Sequence, residues 1–83
     1  ARVNTAEEFL MAHGFRQFRV RDHGDMARIE LPPEDIGCML DPTLREAVVQ
    51  RLKALGYLYV TLDLEGYRTG AMNEGLRKEH TQA

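Results

Sequence analysis

The chain has 83 residues, of which 43% are hydrophobic and 29% charged, with a formal charge of -2 at neutral pH. That length holds one small domain around a single core and excludes a nucleotide-binding domain with anything beside it. The near balance of charge excludes a general affinity for nucleic acid or membrane, and there is neither a membrane-length apolar run nor an N-terminal signal pattern.

With Ala1 first and no initiator methionine, the expectation is a fragment or a processed chain. Cys38 is the sole cysteine, so no internal disulfide can form. A single thiol fits a reducing, cytoplasmic setting, and Cys38 is expected to be a small buried hydrophobe.

Thr5-Ala6-Glu7-Glu8 reads as a capping box opening a short helix from about Asn4 to His13, closed by Gly14. From Phe15 the period changes to two, with Phe18 and Val20 on one face and Gln17, Arg19 and Arg21 on the other. Asp22-His23-Gly24-Asp25 is a turn, after which Ala27, Ile29 and Leu31 alternate with polar residues to complete a hairpin.

Pro32-Pro33 ends the second strand, and a short helix through Ile36 and Met39 follows. Asp41 caps a longer helix opened by Pro42, with Leu44, Val48, Leu52 and Leu55 as its apolar stripe before Gly56. Tyr57 to Leu64 alternates again as a third strand. The loop from Gly66 to Gly70 leads to a frayed tail at 77–83.

The fold class expected is α+β, a small two-layer domain over residues 4–76 in the order helix-strand-strand-helix-strand. Its sheet is expected to be three-stranded and antiparallel, with the third strand beside the first and the helices on one apolar face.

Closing the hairpin through His23-Gly24 sets Arg21 opposite Met26, Arg19 opposite Arg28 and Gln17 opposite Glu30, all on the face away from the helices. Facing arginines repel by a few tenths to about 1 kcal/mol, so a counter-charge is required. Glu30 and Asp63 can supply it as an ordinary solvated surface. Alternatively, Arg19, Arg21 and Arg28 form a receptor for phosphate or carboxylate, because guanidinium groups offer fixed forks of donors. A three-residue loop would turn Arg28 away from the other two.

Glu7 sits early in its helix, where the dipole favours a carboxylate. His13, His23 and His80 lack metal-ligand spacing, and no nucleophile elbow or glycine-rich phosphate loop is present. Tyr57, Tyr59 and Tyr67 could stack on a flat ligand, but two of them lie where a partner domain can cover the sheet, and burial against a missing domain is the expectation.

Three stretches carry a resemblance. They are Phe15-Arg16-Gln17-Phe18-Arg19-Val20-Arg21, Gly24-Asp25-Met26-Ala27-Arg28-Ile29-Glu30-Leu31-Pro32, and Leu55 to Gly70 with its Gly56-Tyr57, Leu62-Asp63-Leu64-Glu65-Gly66 and Tyr67-Arg68-Thr69-Gly70. In order and spacing they resemble the carboxy-terminal end of LarE-type sulfur transferases of the PP-loop ATP pyrophosphatase superfamily.

The resemblance implies a missing amino-terminal ATP pyrophosphatase domain that uses ATP and Mg to adenylylate the carboxylate of a pyridinium mononucleotide. Sulfur insertion then gives a thiocarboxylate for a nickel-pincer cofactor. It further implies that Arg19 and Arg21, with Arg28 nearby, hold the substrate phosphate, and that Glu7 binds metal or orients substrate. The family's phosphate loop and donor cysteine fall upstream, so the resemblance gives Cys38 no catalytic role and implies no catalytic residue here.

The expectation is thus a substrate-binding and assembly domain, inactive alone, from a homo-oligomeric parent with no nucleic-acid or membrane partner. The alternative is a structural oligomerisation module without a ligand of its own.

Overall fold

In a computed structural model, residues 1–67 are described. Helix α1 spans Arg2–Ala12 and is followed by strands β1 (Arg19–His23) and β2 (Met26–Glu30). One turn of helix, α2 (Pro33–Ile36), runs into a 3-10 turn at Gly37–Leu40, then α3 (Pro42–Ala54) leads to β3 (Tyr59–Leu62). The α+β class and the element order agree with the sequence reading. The expectations for Arg68 onward, including the tail and His80, lie outside the described residues.

The expected antiparallel sheet with β3 beside β1 is corrected: the sheet is mixed, ordered β1-β2-β3, with β1 antiparallel and β3 parallel to β2. The α3 crossover returns the chain in the direction of β2, and β1's outer edge is already occupied. There the Val20 amide donates to Glu7 Oε2 of α1 at 3.4 Å. The free side of β2 is the one left for β3.

The hairpin register is also corrected. The loop is Gly24-Asp25, with Gly24 at a positive φ of 78° as the first central residue of a two-residue turn, and His23 faces Met26. Arg21 therefore lies opposite Arg28, and Arg19 opposite Glu30. A shift of two residues keeps every side chain on its expected face. Pairing stops at Arg19 rather than running back to Phe15, because Gln17 would meet Pro32, which has no amide to donate.

The capping box is not formed. Arg2 rather than Asn4 opens α1, and Thr5 lies inside the helix with its hydroxyl donating to the Ala1 carbonyl at 3.4 Å. Helix α3 matches its sequence signals: the Asp41 carboxylate accepts from the Thr43 amide at 3.1 Å, and Val48 and Leu52 are buried while Leu44 and Leu55 pack against the core.

Both long helices end in the same motif. Gly56 donates to Lys53 and Tyr57 to Leu52, as Gly14 donates to Met11 and Phe15 to Leu10. These are Schellman bonds, which turn the chain through a left-handed glycine and set a residue just beyond it against the helix's last turn. Each buries an aromatic, Phe15 or Tyr57, with a fully buried leucine, Leu10 or Leu52. The core between helices and sheet gathers these with Ala6, Val20, Ala27, Ile29, Leu31, Met39 and Val48. A fully buried leucine contributes roughly 1.5–3 kcal/mol.

Two burial expectations change. Cys38 is exposed, because it lies in the single-turn 3-10 segment whose inward position is taken by Met39. Tyr57 needs no further domain to cover it, being 2% exposed within this chain's own core.

Candidate functional site

The outer face of the sheet is built from alternate residues of three strands. By register, Arg19 is level with Glu30, Arg21 and Arg28 are level with Thr61, and His23 and Met26 are level with Tyr59. The three arginines singled out in the sequence are therefore brought onto one face.

Glu30 organises them. Its Oε2 accepts from Arg28 Nη2 at 3.0 Å and from Arg21 Nε at 3.4 Å, which sets one negative charge between the two guanidinium groups that the register places opposite each other. Asp63 lies 3.8 Å from Arg28 Nε, an ion-pair distance too long for a hydrogen bond. Arg28 Nε is buried and has no hydrogen-bond partner. Glu30 is the buried member at 8% exposure, while the arginines reach outward from it.

Both compensating carboxylates anticipated from the sequence are thus in place, and Arg21 and Arg28 take them up between them. Arg19, exposed and opposite Glu30, makes no ion pair with a carboxylate among the described residues. The surplus positive charge with free donors is concentrated there, which is the chemistry of an anion contact.

Glu7 lies apart from this face, at the β1 edge, where its carboxylate covers the Val20 amide. Among the described residues no group of three or more His, Cys, Asp or Glu is placed to hold a metal ion. His13 closes α1, its Nδ1 2.9 Å from the Phe9 carbonyl.

A second arginine cluster escaped the sequence reading. Arg2 grips Asp22 through two nitrogens, Nε to Oδ2 at 3.0 Å and Nη2 to Oδ1 at 3.1 Å, and Nη2 also donates to the Gly24 carbonyl at 2.6 Å. Its guanidinium carbon lies 4.0 Å from the Tyr57 ring centroid, and the Tyr57 hydroxyl donates to Asp22 Oδ2 at 3.0 Å. The Arg2 guanidinium, then the Gly24 amide, hold the Asp22 carboxyl down at about 2. Burial, then the nearby Asp22, pushes the Tyr57 phenol up. Only the Asp22-x-Gly24 side-chain turn was visible locally. Arg2 and Tyr57 reach it from 20 and 35 residues away.

No family model matches the chain. It is 49% identical over 78 residues to the pyridinium-3,5-bisthiocarboxylic acid mononucleotide synthase of Lactiplantibacillus plantarum, a match that covers 94% of this chain and 28% of that protein. Along this segment the chain belongs to the LarE type. An uncharacterized protein of Synechocystis is 47% identical over 77 residues, covering 93% of this chain and 29% of that protein. The LarE-type segment thus spans less than a third of the length of these curated relatives.

Proposed function

We propose that this chain is the substrate-binding and assembly domain, in the carboxy-terminal part, of an ATP-dependent sulfur transferase that converts a pyridinium carboxylate mononucleotide to a thiocarboxylate for nickel-pincer cofactor synthesis. The likeness to a mononucleotide synthase supports a mononucleotide as the class of ligand. The observation that carries the reading is the outer sheet face, where Arg21 and Arg28 take up the two carboxylates and Arg19, among the described residues, keeps its donors free.

A nucleotide phosphate is the part of such a ligand that guanidinium forks fit best. In this reading Arg19 is the principal contact. Arg21 and Arg28, held by Glu30, supply field and shape. Glu7 is tied to the Val20 amide and would contribute to a metal or substrate only together with ligands from outside the described residues.

ATP and Mg belong to the longer protein, and adenylylation requires its ATP pyrophosphatase domain. A cytoplasmic setting and a homo-oligomeric parent complete the proposal. Among the described residues no helix is long and apolar enough to cross a membrane.

The structural alternative gains from one feature: Arg21 and Arg28 already have carboxylate partners. A heteronuclear NMR titration of the chain with nicotinic acid mononucleotide, and separately with phosphate, decides between them. Shifts confined to Arg19, Arg21 and their strand neighbours, weakened in Arg19→Ala, are expected. No response at about millimolar ligand, where binding is worth only about 4 kcal/mol, would leave the face to the structural role.

A further inference from the structure

The outer face of the sheet has a second part, beside the arginines. At the turn end of the sheet the register lines up His23 of β1, Met26 of β2 and Tyr59 of β3. Val20, Ala27 and Ile29 are buried and Val60 and Leu62 pack against the core, so alternation turns His23, Met26 and Tyr59 outward. Met26 is half-buried, His23 is exposed and Tyr59 is 63% exposed. Among the described residues, neither the His23 ring nor the Tyr59 ring makes a hydrogen bond, an ion pair or a contact with another ring.

Their spacing is that of a slot. β1 and β3 flank β2, which sets the backbones of His23 and Tyr59 about 10 Å apart, two strand spacings. Side chains stand roughly perpendicular to a sheet. Aromatic rings in favourable contact have centroids about 4.5–7 Å apart, so walls about 10 Å apart leave room for one flat ring that touches both. Met26, midway between them, forms the floor, and a thioether against an aromatic ring is itself a favourable contact.

The neighbouring row indicates what such a ring is joined to. Arg21 and Arg28 lie two residues along their strands from His23 and Met26, about 7 Å away, and Arg19 lies two residues beyond Arg21. A mononucleotide carries an anionic phosphate joined through one ribose to a flat ring, in the same order and on the same scale. We propose that the aromatic ring of the mononucleotide inserts between His23 and Tyr59 over Met26 while its phosphate meets the arginines. This rests on the proposed function for the phosphate end and adds the ring end, which makes His23, Met26 and Tyr59 the residues that distinguish a nucleotide from a bare sugar phosphate. A pyridinium ring is a planar cation, which the negative face of Tyr59 suits. A protein partner fits the patch less well, because a surface broad enough for stable association would also cover the adjoining guanidinium groups of Arg21 and Arg28 and strip them of water.

The test is an NMR titration of the full chain with nicotinic acid mononucleotide against ribose 5-phosphate, which has the phosphate and sugar without the ring. Both ligands should perturb Arg19 and Arg21, while ring-current shifts at the Met26 methyl and changes at the His23 and Tyr59 ring protons are expected with the mononucleotide alone. Tyr59→Ala should weaken the mononucleotide by about two- to tenfold, the loss of one aromatic contact, and leave ribose 5-phosphate unchanged. Tyr59→Phe keeps the ring and should bind both ligands as the unaltered chain does. Both variants alter an exposed side chain and leave the core intact. Equal affinity for the two ligands, with shifts at the arginines, overturns the ring site and leaves the phosphate reading standing, and so does equal weakening of both ligands in Tyr59→Ala. No response of the arginines to either ligand overturns the phosphate reading and the ring site with it.

Discussion

At the hairpin corner Arg2 is held from three sides, by the Asp22 carboxylate, the Gly24 carbonyl and the Tyr57 ring. On the outer face of the same sheet Arg21 and Arg28 share Glu30 and Asp63, Arg19 has no carboxylate partner among the described residues, and Arg28 Nε is left without an acceptor. The first arrangement matches one guanidinium to one carboxylate in a two-pronged grip and ties α1, the hairpin and the turn that ends α3 together. The second carries more donors than its acceptors can satisfy. Charge alone does not mark a binding site; the proposed anion contact rests on the balance of donors against local acceptors.

The largest way to break the comparison is through the corner's apolar support. Tyr57→Ala removes a buried ring and the hydroxyl bound to Asp22, and should cost about 3–5 kcal/mol in urea unfolding, enough to unfold a domain this small. Losing the same amount from any single arginine of the outer face would contradict the distinction.

Glu30→Gln acts on the other cluster. It leaves Arg21 and Arg28 facing each other without their shared charge, for an expected loss of about 1–2 kcal/mol, discounted for the solvent exposure of both arginines. Phosphate binding measured by NMR should strengthen in the same variant, because an internal competitor for the guanidinium groups has gone. A variant that is destabilised yet binds phosphate no better would indicate that Glu30 shapes the face rather than competing for it.

Tyr57→Phe keeps the ring and removes one hydrogen bond to a charged group, an effect of about 1 kcal/mol or slightly more. The corner also has a pH signature. Asp22 binds its proton less readily in the folded chain than in the unfolded one, where a value near about 3.9 is ordinary. Its stabilising contribution is therefore complete above about pH 4 and is lost as the pH falls toward about 2. In Asp22→Asn, stability measured by thermal melts should fall less steeply over that window.

The smallest expected effect on stability is that of Arg19→Ala, within about 0.5 kcal/mol, since its side chain is exposed and makes no ion pair among the described residues. Its effect on anion binding should be the largest of the outer-face arginines. That inversion, least for the fold and most for the ligand, is the sharpest form of the comparison.

Much of this was legible locally. Asp41-Pro42 opens a helix because an aspartate can bond the first free amides and proline has none to waste. Leu44, Val48, Leu52 and Leu55 form one stripe because a helix repeats every 3.6 residues. The shared face of Arg19, Arg21 and Arg28 survived a register error because a slip of two residues preserves facing. Burial of Tyr57 was missed because strand alternation was extended back to it, whereas it belongs to the helix-ending motif with Leu52.

By itself the sequence determined the α+β class, the order of elements, the long helix, the hairpin and the existence of an arginine-rich sheet face, all of which follow from spacing along the chain. Only the tertiary structure decided that β3 lies parallel beside β2, that Glu30 lies between Arg21 and Arg28, and that Arg2 reaches Asp22 and Tyr57. Those outcomes depend on which edge is already covered and on side chains meeting across 20 to 35 residues. Local periodicity carries no term for either.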